Sequence, residues 1–225
     1  MTPRVLVCGV GPWSAAAFRL HALPGWRFAS TEQLMRRELR AYRPEWIALL
    51  HWRWRVPPDI HESIKTIGFH MTDLPKGRGG SPLQHLILAR KKSTTLCAFK
   101  VGAEMDAGPV YLRQRLVLDG TAAAIYSRAT HLAMTMVNDI VTTNIIPKAQ
   151  VGVPTFTKRR TPEQSEIPES CNTMTKLIDF IRMLDAEGYP HAFLRAGRMR
   201  LEFTGAWLEG TTVRASVRFI KEKTR

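Results

Sequence analysis

The chain has 225 residues, of which 44% are hydrophobic and 23% are charged, and this composition excludes a largely disordered protein. Its 33 lysine and arginine residues outnumber 19 acidic ones, giving a formal charge of +14 that favours anionic partners such as nucleotides, nucleic acid or acidic membrane surfaces. Three widely separated cysteines without a CxxC pair argue against a zinc site and for a reducing compartment, so no metal site is predicted.

The first 90 residues alternate short apolar runs with amphipathic ones. Strands are predicted at 4–10, 26–30, 46–52 and 66–71, and helices at about 13–23, 32–42, 57–65 and 81–89. Thr31 is the predicted N-cap of the second helix, because its hydroxyl can accept from a free amide of the first turn. Alternation at this spacing predicts parallel βαβ units, and therefore an α/β fold with a Rossmann-like open, mostly parallel sheet. Ligands of such sheets bind at the carboxyl ends of the strands.

After residue 90 the pattern changes. Two long alternating runs at 93–101 and 108–118 predict strands around the loop GAEMDA, and a long amphipathic helix is predicted at 121–146. A polar, proline-bearing stretch then predicts an ordered linker, and a helix followed by short antiparallel strands ends the chain. We therefore expect a main domain at 1–150, a linker at 151–173 and a small α+β appendage, a helix plus β-hairpin, at 174–225.

No targeting or membrane segment is predicted. The N-terminal stretch MTPRVLVCGVGPW has too short an apolar run for a signal peptide, and no run of about 18 apolar residues occurs in the sequence. We therefore expect a cytoplasmic protein without a membrane partner.

Two polar residues, His70 and Asp106, lie at the ends of predicted strands, where their loops could converge. A carboxylate beside a histidine fixes the tautomer of the ring and suits it to proton transfer. The alternative is structural, with a hydrogen-bonded histidine and a turn aspartate. No Gly-x-Ser-x-Gly motif, reactive-cysteine context or P-loop occurs, so direct transfer between two bound substrates is favoured over covalent catalysis. The loop after the first strand lacks the third glycine of the dinucleotide fingerprint, and a tight turn is the preferred interpretation there.

The segments FHMTDLPKGRGGSPLQHLI and AEMDAGPVYL resemble the signature of the folate-dependent formyltransferases. The matching positions are His70, Leu74, Pro75, Arg78, Gly79, Asp106, Gly108 and Pro109. The order of strands and helices from residue 4 to about 146 also fits that family. The resemblance therefore implies a formyl-folate-binding catalytic domain at 1–150.

The resemblance also implies a reaction and its site residues. The donor would be 10-formyltetrahydrofolate, and its formyl group would pass to the amine of a second, anionic substrate. His70 would stabilise the developing oxyanion and relay a proton, while Asp106 would orient His70. The residues implied for folate binding are Trp52, Met105, Asp106 and Gly108, and those beside the anionic acceptor are Thr72, Lys76, Arg78 and Gly79. The alternative for this second group is a surface turn.

The chain departs from the family at one position. The family usually has an asparagine two residues before the histidine, and this sequence has Gly68. Loss of an oxyanion donor costs about 3 kcal/mol where it has been tested elsewhere. We therefore expect either a substitute donor, for which His51 is the catalytic candidate, or slow or absent turnover. The alternative for His51 is a structural role beneath Trp52 and Trp54.

The C-terminal segment FIRMLDAEGYPHAFLRAG resembles family members that formylate amino sugars on nucleotide carriers. Together with the basic charge, it favours an amino-sugar nucleotide as the acceptor. An aminoacyl-tRNA and a glycinamide ribonucleotide are alternative acceptors. An inactive formyltransferase fold that binds folate or nucleic acid is a further alternative, and a homodimer is possible.

Overall fold

The computed structural model describes residues 2–221. Its strands are β1 (Val5–Gly9), β2 (Arg27–Ala29), β3 (Trp46–Leu50), β4 (Lys65–His70), β5 (Arg78–Gly79), β6 (Ser93–Lys100), β7 (Val110–Val117), β8 (Phe156–Thr157), β9 (Ala192–Ala196), β10 (Met199–Glu209) and β11 (Thr212–Lys221). Its α-helices are α1 (Pro12–His21), α2 (Glu32–Tyr42), α3 (Pro58–Ser63), α4 (Pro82–Leu88), α5 (Ala122–Thr143) and α6 (Met174–Arg182), and a 3₁₀ turn spans Pro162–Ser165.

The main sheet has six strands in the order β2-β1-β3-β4-β6-β7. The first four are parallel to one another, whereas β6 and β7 add an antiparallel edge. The short apolar strands are covered by helices on both faces, as the parallel part of such a sheet requires. The predicted α/β fold with a mostly parallel sheet is therefore confirmed.

Side-chain alternation along the strands separates two cores. On the face that we call the α5 face, Val5 and Val7 of β1 pack with Ile125 of α5. On the opposite face, which we call the α2 face, Leu6 and Cys8 pack with Met35 of α2 and other residues.

The element boundaries follow local backbone signals. The hydroxyl of Thr31 accepts from the amide of Leu34 at 3.2 Å, which confirms the predicted N-cap. Strand β3 ends before the predicted residue 52 because His51 takes a left-handed conformation with φ of 50°. Helix α5 ends before the predicted residue 146, since Asn144 is also left-handed.

The C-terminal part forms a three-stranded antiparallel sheet in the order β11-β10-β9, with α6 packed against it. The stretch predicted as a linker contains β8, which pairs in parallel with β5 of the main domain. The amides of Gly77 and Arg78 also donate to the side chain and backbone of Thr155. Part of this stretch therefore packs on the main domain, and the domain boundaries stay a prediction. None of the helices within residues 2–221 has the length and apolar character needed to cross a membrane.

Candidate active site

The candidate active site lies where β4 ends and the loop between β6 and β7 folds back toward it. His70 is the last residue of β4, at the carboxyl edge of the parallel strands, where ligands of such sheets bind. The antiparallel register places Lys100, the last residue of β6, opposite Ile67 and not opposite His70. The loop turns back over the sheet and brings Asp106 to His70.

His70 is buried, and both nitrogens of its ring face acceptors. The Nε2 atom lies 2.7 Å from the carbonyl oxygen of Gly77, and Nδ1 lies 3.5 Å from Oδ2 of Asp106. A carbonyl oxygen only accepts, so in this ring orientation Nε2 carries a proton and donates it to Gly77. Nδ1 is therefore the nitrogen that can exchange a proton, with a carboxylate beside it.

Asp106 is held by its own backbone and by two neighbours. Its φ of 54° is left-handed, a conformation that aspartate tolerates better than most residues. Its Oδ2 accepts from the amide of Gly79 at 2.9 Å, and its backbone carbonyl accepts from Nε2 of Gln150 at 2.8 Å. The carboxylate is thereby fixed between His70 and the glycine-rich turn after β4.

Gln150 connects the two loops of the site, although nothing in the sequence marks it. Its Nε2 donates to the carbonyls of Asp106 and Gly108, each at 2.8 Å. Its Oε1 accepts from Nε and Nη2 of Arg78 at 3.2 and 2.7 Å. The partners are 44 and 72 residues away along the chain, so only tertiary structure reveals this contact.

Replacing Gln150 with glutamate is expected to lower the free energy of unfolding by about 2 kcal/mol, because two backbone carbonyls lose their donor and face a carboxylate. Urea unfolding measures this change. Gln114→Glu is the matched control, since Gln114 is exposed on β7, and it should change stability by less than about 0.5 kcal/mol. Equal effects of the two substitutions would contradict the role of Gln150.

The residues predicted beside an anionic acceptor are Thr72, Lys76, Arg78 and Gly79, and they lie in the turn after β4. The Thr72 hydroxyl donates to the carbonyl of Lys76 at 2.7 Å. A Cβ added at Gly79 would lie 2.4 Å from the carbonyl oxygen of Thr157, so only glycine permits this approach of β5 to β8. Lys76 is exposed beside a surface cavity of about 430 Å³. The acceptor roles of all four stay predictions.

Three of the residues predicted to contact folate, Met105, Asp106 and Gly108, lie in the loop between β6 and β7, and the fourth, Trp52, follows β3. Trp52 and Val101 each pack against the α2-face core, and the buried indole Nε1 of Trp52 has no hydrogen-bond partner in the described part of the chain. Met105 is 73% exposed at the tip of the loop. The folate contacts of these residues stay predictions.

Gly68 has its side-chain position filled by a neighbour. Ile67 and Phe69 pack on the α5 face, so Gly68 and His70 point to the other face by the alternation of the strand. A Cβ added at Gly68 would lie 2.8 Å from Cζ of Phe99 and 3.0 Å from Cγ2 of Val101. The phenyl ring therefore occupies the space that an asparagine would need.

Gly68→Asn alone is expected to lower the free energy of unfolding by about 1–3 kcal/mol, because the added side chain meets the packed ring of Phe99. In a Phe99→Leu background the ring atoms near Gly68 are removed, and the cost should fall by at least about 1 kcal/mol. A double-mutant cycle from urea unfolding measures this coupling. Additive effects of the two substitutions would show that Phe99 is not the obstacle.

His51 lies on the α5 face, away from the face of Gly68 and His70. Its ring packs edge-on against Trp13 and Tyr126, not beneath Trp52 and Trp54, at centroid distances of 5.8 and 4.9 Å. Its Nε2 lies 3.0 Å from the hydroxyl of Thr130, which donates its own proton to the Tyr126 carbonyl, so Nε2 is the donor. Burial lowers the pKa of His51 to about 4, and a hydrogen bond to the Tyr126 backbone opposes this shift. These contacts give His51 a structural role, and the catalytic assignment of His51 stays a prediction.

The packing of the His51 ring predicts a pH dependence of stability. The unfolded chain binds a proton at this ring near pH 6.5, whereas the folded chain does so only near pH 4. As the pH falls through this window the unfolded state holds more protons, so folding loses about 3 kcal/mol. Urea unfolding of the wild type and His51→Gln from pH 8 to pH 4 measures the loss, which the variant should lack. Parallel pH profiles would contradict the buried neutral ring.

Comparisons with known proteins give the following matches. A family model described as methionyl-tRNA formyltransferase, C-terminal domain, matches residues 162–220. The curated methionyl-tRNA formyltransferase of Thermosipho africanus is 25% identical over 142 residues, which cover 61% of this chain and 46% of that protein. The chain spans about half the length of the curated relatives it matches.

Solved structures match over nearly the whole chain. A methionyl-tRNA formyltransferase from Clostridium thermocellum is 34% identical, with a TM-score of 0.93 over 98% of this chain and 100% of that one. HypX from Aquifex aeolicus in complex with tetrahydrofolic acid has a TM-score of 0.75 at 13% identity, over 93% of this chain and 38% of that one. Sugar N-formyltransferases match at 12–14% identity. These more distant matches show the fold alone.

Proposed function

Because the chain belongs to the folate-dependent formyltransferase family, we propose that it transfers a formyl group from 10-formyltetrahydrofolate to the amine of an anionic acceptor. The observation that carries this proposal is the pair of His70 and Asp106, which converge from β4 and the loop after β6 at the family's signature positions. His70 is buried, Asp106 is half-buried, and neighbouring backbone groups fix both side chains in positions that suit proton transfer.

The proposed donor site has residues that fit a reduced folate. Trp52 and Met105 offer apolar surface for a flat ring, and the buried indole N–H of Trp52 has no partner within residues 2–221. The open backbone of the loop at 102–107 offers further polar groups for recognition of a base. When bound, the donor supplies an activated formyl group, and HypX with tetrahydrofolic acid supports the choice of a folate by sharing the fold.

The proposed role of the protein is to align the amine with the formyl group and to move one proton. The C–N bond to the acceptor forms while the C–N bond to the donor breaks, so the amine loses a proton and the departing nitrogen gains one. His70 would accept and return this proton at Nδ1, because Nε2 is engaged with Gly77. Asp106 would stabilise the protonated ring across the 3.5 Å gap.

Two acceptors have separate support. An amino-sugar nucleotide is favoured by the resemblance of the segment at 180–197 and by the formal charge of +14. An aminoacyl-tRNA is favoured by relatives that carry the name methionyl-tRNA formyltransferase, at 25% and 34% identity. The family model with that name also covers the segment that suggested a sugar, so both acceptors belong in the first assay.

The test mixes the purified protein with 10-formyltetrahydrofolate and either a panel of amino-sugar nucleotides or methionyl-tRNA, and follows the release of tetrahydrofolate. We expect one acceptor class to raise the rate of tetrahydrofolate release above the rate without acceptor. His70→Ala should abolish this increase. Fluorescence titration of the tryptophans with tetrahydrofolate measures donor binding separately. No release with any acceptor, together with no folate binding, would refute the enzyme and leave an inactive fold.

A further inference from the structure

A second cavity, of about 490 Å³, lies between the end of α4, the 3₁₀ turn and α6. Leu88, Pro168 and Phe180 form its apolar wall, and Arg160, Lys176 and Cys171 are among its polar lining. None of the residues placed in the candidate active site lines it. A function of this cavity would therefore lie beyond the proposed formyl transfer.

The acidic residues of this cavity are already paired with cations. Glu166 forms an ion pair with Arg195, and Asp179 lies between Arg182 at 2.7 Å and the lining residue Arg90 at 4.0 Å. Neither Arg195 nor Arg182 belongs to the lining. The negative charge of the wall is therefore cancelled, and the cations that line the cavity determine its net charge.

Two lining cations lack a carboxylate partner in the described part of the chain. Arg160 donates to the carbonyl of Gln164 and lies 5.7 Å from the Phe180 ring, while its Nε is buried without a partner. Burial lowers the pKa of Arg160. Lys176 donates only to neutral oxygens, the Ser170 carbonyl and the Asn172 amide. A half-buried guanidinium without an anion is costly, so an external anion would stabilise it.

We propose that this cavity binds a phosphorylated small molecule, with its phosphoryl group at Arg160 and Lys176 and its apolar part against Leu88 and Pro168. A phosphate monoester carries a charge of about −1.5 to −2 at neutral pH, which matches two uncompensated cations. A single carboxylate would leave one of them unbalanced. The planar guanidinium suits phosphoryl oxygens, and the ammonium adds a second charge.

The binding test is a calorimetric titration at constant ionic strength with inorganic phosphate and with adenosine 5′-monophosphate. We expect saturable binding of the nucleotide, weaker binding of phosphate because it lacks the apolar part, and an increase in Kd of about tenfold in Arg160→Gln or Lys176→Gln. Arg159→Gln is the matched control, because Arg159 is the exposed neighbour of Arg160 and does not line the cavity. An equal loss in the control, or no saturable binding, would overturn the proposal.

Cys171 allows nucleotide binding to be measured locally in the wild-type protein, so this test does not depend on the stability of the variants. It lines the cavity, whereas Cys8 and Cys97 are buried elsewhere in the main domain. Bound nucleotide should slow alkylation of Cys171 by iodoacetamide about fivefold or more, because it covers the thiol. The same rate with and without saturating nucleotide would place the ligand elsewhere. Neither readout uses formyl transfer, so failure here and failure of the proposed enzyme are distinguishable.

Discussion

Replacing His70 with alanine is expected to lower kcat/KM for formyl transfer by about 10²–10⁴-fold, the usual contribution of a general acid or base. The loss arises because the proton from the attacking amine no longer has an acceptor at Nδ1, beside Asp106. The fold should remain, since the substitution frees the carbonyl of Gly77 while the Asp106 carboxylate keeps the amide of Gly79 as a donor, and the melting temperature should fall by about 3 °C. Steady-state kinetics and thermal unfolding measure the two effects.

His85→Ala is the matched control for this experiment. Its Nε2 also donates to a backbone carbonyl, that of Lys158 at 2.9 Å, but His85 lies on α4 and does not contact Asp106. The control should keep nearly all activity, and Asp106→Asn should share most of the loss seen in His70→Ala. Near wild-type rates in either active-site variant would contradict the proposed roles.

Gly108→Ala is expected to destabilise the protein by about 3 kcal/mol or more and to abolish activity. An added Cβ would lie 1.7 Å from the backbone oxygen of Lys100, and this backbone cannot move freely because the Lys100 amide donates to Pro109 at 2.8 Å. The loop would have to open, which would carry Asp106 away from His70. Urea unfolding and the formyl-transfer assay measure both losses.

Gly102→Ala is the control, because it makes the same chemical change at the other end of the same loop. Gly102 is exposed, its φ is not left-handed, and an added Cβ would meet no heavy atom within 4 Å. Its effect on stability should stay within about 0.5 kcal/mol. A large loss in Gly102→Ala would show that the whole loop is sensitive, so that the contact at Gly108 is not the cause.

The order of strands and helices follows from patterns that are local in the sequence, whereas the meeting of His70 with Asp106 is predicted by the resemblance to the family signature. Buried strands appear as short apolar runs, and the signature positions place His70 at the end of one strand and Asp106 in the loop after another. The antiparallel register would not by itself bring these two residues together. The signature positions predict their convergence, and the left-handed backbone at Asp106 helps to bring its carboxylate to His70.

Other features of the site depend on contacts between distant residues. Gln150 has no pattern around it, and its role comes from atoms 44 and 72 residues away. The left-handed backbone at His51 turns that side chain to the α5 face, which strand alternation alone would not predict. The ring of Phe99 beside Gly68 likewise requires the register of β4 with β6.

The pairing of β5 with β8 affects the order in which parts of the protein fold during synthesis. The glycine-rich turn binds strand residues about 78 positions further along the chain, so it cannot be completed until they have left the ribosome. A fragment that stops at residue 149 would contain His70, Asp106 and all six strands of the main sheet, yet it would lack both Gln150 and β8. Such a fragment should form the sheet and leave the glycine-rich turn unanchored. The proposed active site would therefore be completed late in synthesis, after most of the core has formed.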